Sequence, residues 1–192
     1  MARTKNIRGV AGGCVFKETN VRPDTWNIKD NCCGDCTTRA IVYALEGTMT
    51  YAEVEAEQYR IAREKHAVRN RTGVYDRILV ERGWRWIQLS KCMTRGEVAV
   101  RLKHYMPGVC ALTLSRTHIA AVKNGELLDT WDSRAGRVFA ILIPYEYLHY
   151  AIQAMEGYDP CKVGMNGVPK LVRSCHRMRR YRNSFSPYFR FA

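Results

Sequence analysis

No apolar run in this chain approaches the ~18 residues that a membrane-spanning helix needs. The first residues, MARTKNIRGVAGG, are basic and contain no apolar signal core. Both absences lead to the expectation of a cytoplasmic protein with no membrane partner. Internal repeats and low-complexity tracts are also missing. Acidic residues are scarce, 18 against 31 Lys and Arg, for a formal net charge of +13. No acidic residue follows Asp159. Such a balance favours anionic partners, meaning nucleic acid, an anionic surface or an acidic protein, and is silent on fold.

Cysteine, by contrast, is plentiful at eight. A reducing compartment would keep these as thiols rather than a disulfide framework. Cys33-x-x-Cys36, with Cys32 beside it, has the spacing of half a zinc knuckle. The other half is lacking: Cys92 and Cys110 stand alone, and Cys161 and Cys175 have no CxxC spacing. Cys175-His176 would close a site only by long-range folding. No thioredoxin-like strand precedes the pair, so a redox CxxC is disfavoured as well. We therefore expect no metal and no cofactor.

The length of 192 residues, 46% of them hydrophobic, suits one domain with a real core and a short appendage. Residues 1–30 are polar and basic, without periodicity, and are expected to be irregular. Residues 31–156 carry the patterned elements. In CTTRAIVYALE, Ala40, Ile41, Ala44 and Leu45 recur at helical spacing, and Gly47 stops the run. Val42 and Tyr43 add apolar surface to its other sides, so this helix should be buried. Thr50 and Glu53 form a capping-box pattern opening a second helix to about Lys65, and its uneven apolar spacing predicts a peripheral one. VYDRILVERG reads as a third helix ending at Gly83, and Trp84 to Leu89 as a short strand. Thr94 and Glu97 repeat the capping box before a helix through His104. Four short strand-like runs follow from Gly108, two of them joined by the hairpin signal Asn124-Gly125. YEYLHYAIQAMEG closes the series as a helix. Helices first and an antiparallel sheet after is an α+β order.

Two residues in this order bear chemistry. Cys36 stands at the first turn of the buried helix, where partial positive charge and amide donors favour a thiolate. The same amides can receive an oxyanion. His118 starts the strand THIAAVKNG, which puts its ring at a strand end. A thiolate needs an imidazole as ion-pair partner and general acid, and the imidazole needs an acceptor to fix its tautomer. Asp129 and Asp132 both lie across the Asn124-Gly125 hairpin from His118, and the hairpin register decides between them.

The order GDCTTRA at a helix start, THIAAV on a strand and DTWDS after the next resembles the papain-like cysteine peptidase superfamily. It looks closest to small phage and bacterial members with a DCxxRA helix start, a capped TYAEV helix, an RNRTGVY turn and a late DTWD. The resemblance covers roughly residues 30–143. It implies a papain-like α+β fold with the nucleophile helix packed on an antiparallel sheet, and a peptide or protein substrate whose peptide or isopeptide amide is cleaved. Cys36 would be the nucleophile, His118 the base and acid, and Asp129 or Asp132 the orienter. No Gln stands at the superfamily's usual place before the cysteine, so Asn31 is the candidate side-chain oxyanion donor. A phage origin would put the protein in a host cytoplasm.

Plainer readings stand beside these. Cys36 as a small buried hydrophobe and His118 as a structural strand-end residue would give a non-catalytic binding, structural or host-takeover protein on the same fold. Asp35 sets a negative charge beside the thiol, and Arg39 is placed to pair with it. Trp84 and Trp86 suit a core or cleft lining. In residues 157–192, Arg173, Arg177, Arg179, Arg180 and Arg182 lie among Tyr181, Phe185, Tyr188 and Phe189. That basic, aromatic appendage fits nucleic-acid contact, with rings stacking on bases and arginines on phosphates.

Overall fold

A computed structural model describes residues 13–23 and 34–156. The strands are β1 (Val15–Glu18), β2 (Trp84–Thr94), β3 (Cys110–Leu114), β4 (Ile119–Lys123), β5 (Glu126–Asp129) and β6 (Arg137–Pro144). The helices are α1 (Cys36–Ala44), α2 (Tyr51–Glu64), α3 (Arg77–Val80), α4 (Arg95–Tyr105) and α5 (Leu148–Glu156), the last preceded by a 3-10 turn at Tyr145–Tyr147. The architecture is α+β, with one six-stranded sheet in the order β1-β5-β4-β3-β6-β2.

The central strands alternate between two apolar layers, as the two-residue side-chain period requires. Ala111, Ala120, Val122, Leu127, Ile141 and Ile143 face Val98 and Leu102 of α4, Met106 just after it, and Ile152 of α5. Cys110, Leu112, Ile119, Ala121 and Leu142 face Ile41 of α1, Val54 and Ile61 of α2, and Ile78 of α3. The sheet is thus covered on both sides. Among the described residues, no helix is long and apolar enough to cross a membrane.

Both capping boxes form. Thr50 and Thr94 accept from the backbone N–H of Glu53 and Glu97, whose carboxylates reach back to the cap N–H. Asn124 and Gly125 both take positive φ, 53° and 78°, the conformation that a two-residue hairpin needs.

Four sequence expectations are corrected. Residues 15–18 are not irregular: they form β1, which pairs parallel to β5 and makes the sheet mixed rather than antiparallel. Only Phe16 of that strand is even half-buried, so no alternation marks it. The short strand at Trp84 continues to Thr94, with its pairing to β6 interrupted between Gln88 and Met93. The third helix contracts to Arg77–Val80 between turns. Lastly, α2 is not peripheral, because Tyr51, Val54 and Ile61 are fully covered. Its apolar period is broken by Glu55 and Gln58, two polar residues that are themselves buried.

Candidate active site

Two helices from opposite faces of the sheet begin at the same strand end. On one side α1 opens with Cys36 and on the other α4 opens with Arg95. Between them lie His118, immediately before β4, and Asp129, the last residue of β5. The hairpin register pairs Ala121 with Leu128. Continued by one residue, it sets Asp129 opposite Ala120, on the side-chain row of His118 and diagonal to it. His118 Nε2 and Asp129 Oδ2 are 2.6 Å apart.

The register decides between the two carboxylates. Strand pairing stops at Asp129, and the chain turns away. Thr130 N–H bonds back to Asp129 Oδ1 at 2.8 Å, and the buried Ser133 hydroxyl donates to Asp129 Oδ2 at 2.7 Å. Asp132 points elsewhere, paired with Arg134 at 2.8 Å. The structure therefore groups Cys36, His118 and Asp129 and leaves Asp132 out. Asn31 lies outside the described residues, as do Cys32, Cys33 and residues 157–192.

The Cys36 thiol hydrogen-bonds with the His118 ring and accepts from the Ile119 backbone N–H. With Nε2 occupied by Asp129, Nδ1 is the ring nitrogen left for the thiol. Burial opposes ionisation of Cys36, but the His118 bond, the Ile119 amide, the His118 charge and Arg39 together hold its pKa below that of an ordinary thiol. His118 is moved the other way. Its burial disfavours the imidazolium, yet the bonds to Asp129 and Cys36 raise its pKa overall. Asp129 is buried as well, and the donors His118 and Ser133 bring its pKa below the usual carboxylate range despite that. Both shifts, a thiol moved down and the imidazole beside it moved up, favour the thiolate–imidazolium form of the pair.

Asp35 is the α1 N-cap residue, and its side chain makes no capping bond. Its carboxylate is instead held by Arg39 at 3.2 Å, by Arg22 at 3.5 Å and by the Tyr51 hydroxyl at 3.1 Å. The charge that would oppose the Cys36 thiolate is thereby matched, and the first-turn amides of α1 are not taken up by Asp35. Asn70, in the RNRTGVY turn, straddles the nucleophile: its amide donates to Gly34 O and its carbonyl accepts from the Thr37 hydroxyl. Trp131 tilts over the His118 ring with centroids 5.0 Å apart and remains 52% exposed, a partial roof on the pair.

Sequence reasoning missed Arg95, Ser133 and the role of Asn70. One signal for Arg95 was legible: a cation in a first helical turn opposes the helix dipole, so such a residue has a partner beyond its own helix. Ser133 and Asn70 carry no comparable local mark. Among the described residues, no group of three or more His, Cys, Asp or Glu side chains could hold a metal ion. No family model matches the chain, and neither does any curated protein or solved structure.

Proposed function

We propose that this protein is a papain-like cysteine hydrolase that cleaves a peptide or isopeptide amide. The observation that carries the reading is the continuous line from Cys36 through His118 to Asp129, closed by the 2.6 Å contact of His118 with Asp129. The Cys36 thiolate attacks the amide carbonyl carbon, and the oxyanion is received by the first-turn amides of α1. The C–N bond then breaks as the His118 imidazolium gives its proton to the leaving amine, leaving an acyl-enzyme. Water, deprotonated by His118, attacks that thioester. The acid product leaves, and the thiolate and imidazolium are restored. Asp129 accepts the His118 Nε2–H throughout and so fixes the tautomer.

The test is a peptidyl electrophile of the acyloxymethyl-ketone type, followed by mass mapping, together with turnover of fluorogenic peptide and isopeptide amides. A single adduct on Cys36 is expected, lost in Cys36→Ala and strongly slowed in His118→Ala. Amide turnover that survives Cys36→Ala would refute the proposal.

A further inference from the structure

Arg95 is 1% exposed, one of the largest fully buried side chains in the protein. Burial pushes its pKa down to about 10, with Asp129 and Cys36 acting in the opposite direction, so it stays charged at neutral pH. All three guanidinium nitrogens are used. Nε donates to the Thr113 hydroxyl at 2.8 Å, Nη1 to the Ser133 carbonyl at 2.9 Å and Nη2 to the His118 carbonyl at 3.3 Å. None of these acceptors is a carboxylate. Buried charges ordinarily require a countercharge, and here the nearest surplus is the site itself. A thiolate, an imidazolium and a carboxylate sum to one negative charge, which Arg95 cancels.

The grip is also geometric. Arg95 holds the backbones of His118 and Ser133, whose side chains both bond Asp129 Oδ2. Space for the guanidinium is kept by Gly136, where an added Cβ would lie 2.8 Å from Arg95 Nη1.

We propose that Arg95 is a positioning residue of the Cys36–His118–Asp129 site, fixing His118 and Ser133 in register while supplying the buried positive charge that lets thiolate, imidazolium and carboxylate coexist. The proposal rests on the hydrolase reading for its purpose, though not for its measurement. The other groups facing the pair are Arg39 of α1 and the Tyr75 hydroxyl toward Cys36, and Tyr43 of α1 toward Asp129. Asp35 is neutralised by its own partners. All of these persist when Arg95 is changed. Loss of its charge makes protons bind more tightly to both Cys36 and His118, so both titrations move to higher pH.

The experiment takes the full chain as wild type, Arg95→Met, Arg95→Lys and Gly136→Ala, with His118→Ala as the control on Cys36. Two profiles against pH are recorded for each: the rate of Cys36 alkylation by iodoacetamide, and the imidazole shift of His118 by NMR. In Arg95→Met both should rise by about one pH unit or more, a roughly tenfold loss of thiolate on the acid limb. Arg95→Lys, which keeps the charge but not the fork, should bring the profiles part of the way back. Wild-type profiles in a folded Arg95→Met protein overturn the proposal. Should that variant fail to fold, Gly136→Ala decides, since it displaces the guanidinium without deleting it, and unchanged titrations there overturn the proposal equally. If His118→Ala leaves the wild-type Cys36 profile untouched, the hydrolase reading fails instead, while the His118 titration in Arg95→Met still judges Arg95.

Discussion

Three of the described cysteines, Cys14, Cys36 and Cys110, are free thiols of differing character. Burial raises the pKa of Cys14, against the pull of Arg134, and pushes that of Cys110 up to about 12. Cys36 is moved down by His118, Ile119 and Arg39 against its own burial. Since only the thiolate is alkylated, Cys36 should label well ahead of Cys14 and Cys110 near neutral pH. Its rate should hold down to the lowered thiol pKa and fall below it. In His118→Ala the acid limb should move up, each unit costing about tenfold in thiolate at a given pH. Quantitative mass spectrometry of each cysteine under limiting iodoacetamide provides the measurement. If Cys36 labels no faster than Cys110, the site has the geometry without the chemistry, and a non-catalytic binding protein replaces the hydrolase. Sequence located Cys36 and His118 because each sits at the end of a strongly patterned element. It left Asp129 and Asp132 open, since the two stand three residues apart and no local pattern marks Asp129 as the residue where β5 ends.

At the level of elements, α2 joins the nucleophile to the core through polar contacts. Glu55 pairs with Arg69, their side chains 8% and 2% exposed. Arg69 also lies over the Tyr59 ring, 5.3 Å from its centroid, while its Nε and Nη2 find no hydrogen-bond partner among the described residues. The next residue, Asn70, bonds Gly34 and Thr37 on either side of Cys36. Breaking one half of a buried pair strands the other charge, at a cost of roughly 3–5 kcal/mol. Glu55→Ala should therefore lower the urea midpoint by that equivalent at constant m and slow Cys36 alkylation through the shifted loop. Replacing both residues by Met should recover most of the stability, because no charge is left unpaired. A cost below about 1 kcal/mol for Glu55→Ala would mean the pair is solvated, as the broken apolar period of α2 had suggested. That misreading has a physical cause: an amphipathic count scores Glu55 and Gln58 as solvent-facing, whereas Gln58 is buried with the Thr38 hydroxyl and Glu55 with Arg69. The capping boxes and the Asn124-Gly125 turn were legible because their bonds close within a few residues. Strand β1 was not, because its partner β5 lies more than a hundred residues later in the chain.

For the whole molecule, charge and chemistry fall in different parts of the sequence. Every residue described at the site, from Arg22 to Gly136, precedes the basic appendage. Residues 157–192 hold eight of the 31 Lys and Arg but only Asp159 of the 18 acidic residues. If the nucleic-acid contact expected of this appendage occurs, phosphate neutralisation gives a log affinity that falls with log salt by about 0.7 per phosphate for single strands and 0.9 for duplex. Removing residues 157–192 should then weaken binding to a fluorescent oligonucleotide at low salt and flatten that slope by several units, because as many as eight cations leave together. The Cys36 alkylation profile should stay where it was, since Cys36, His118, Asp129 and the side chains that bond them all precede residue 157. Fluorescence anisotropy across a salt series, run beside the alkylation profile on the same preparations, reads both effects. An unchanged slope would assign any nucleic-acid affinity to residues 1–156. A truncated protein that loses its thermal transition would instead show that Tyr181, Phe185, Tyr188 and Phe189 complete the core, and stacking on bases would lose its support.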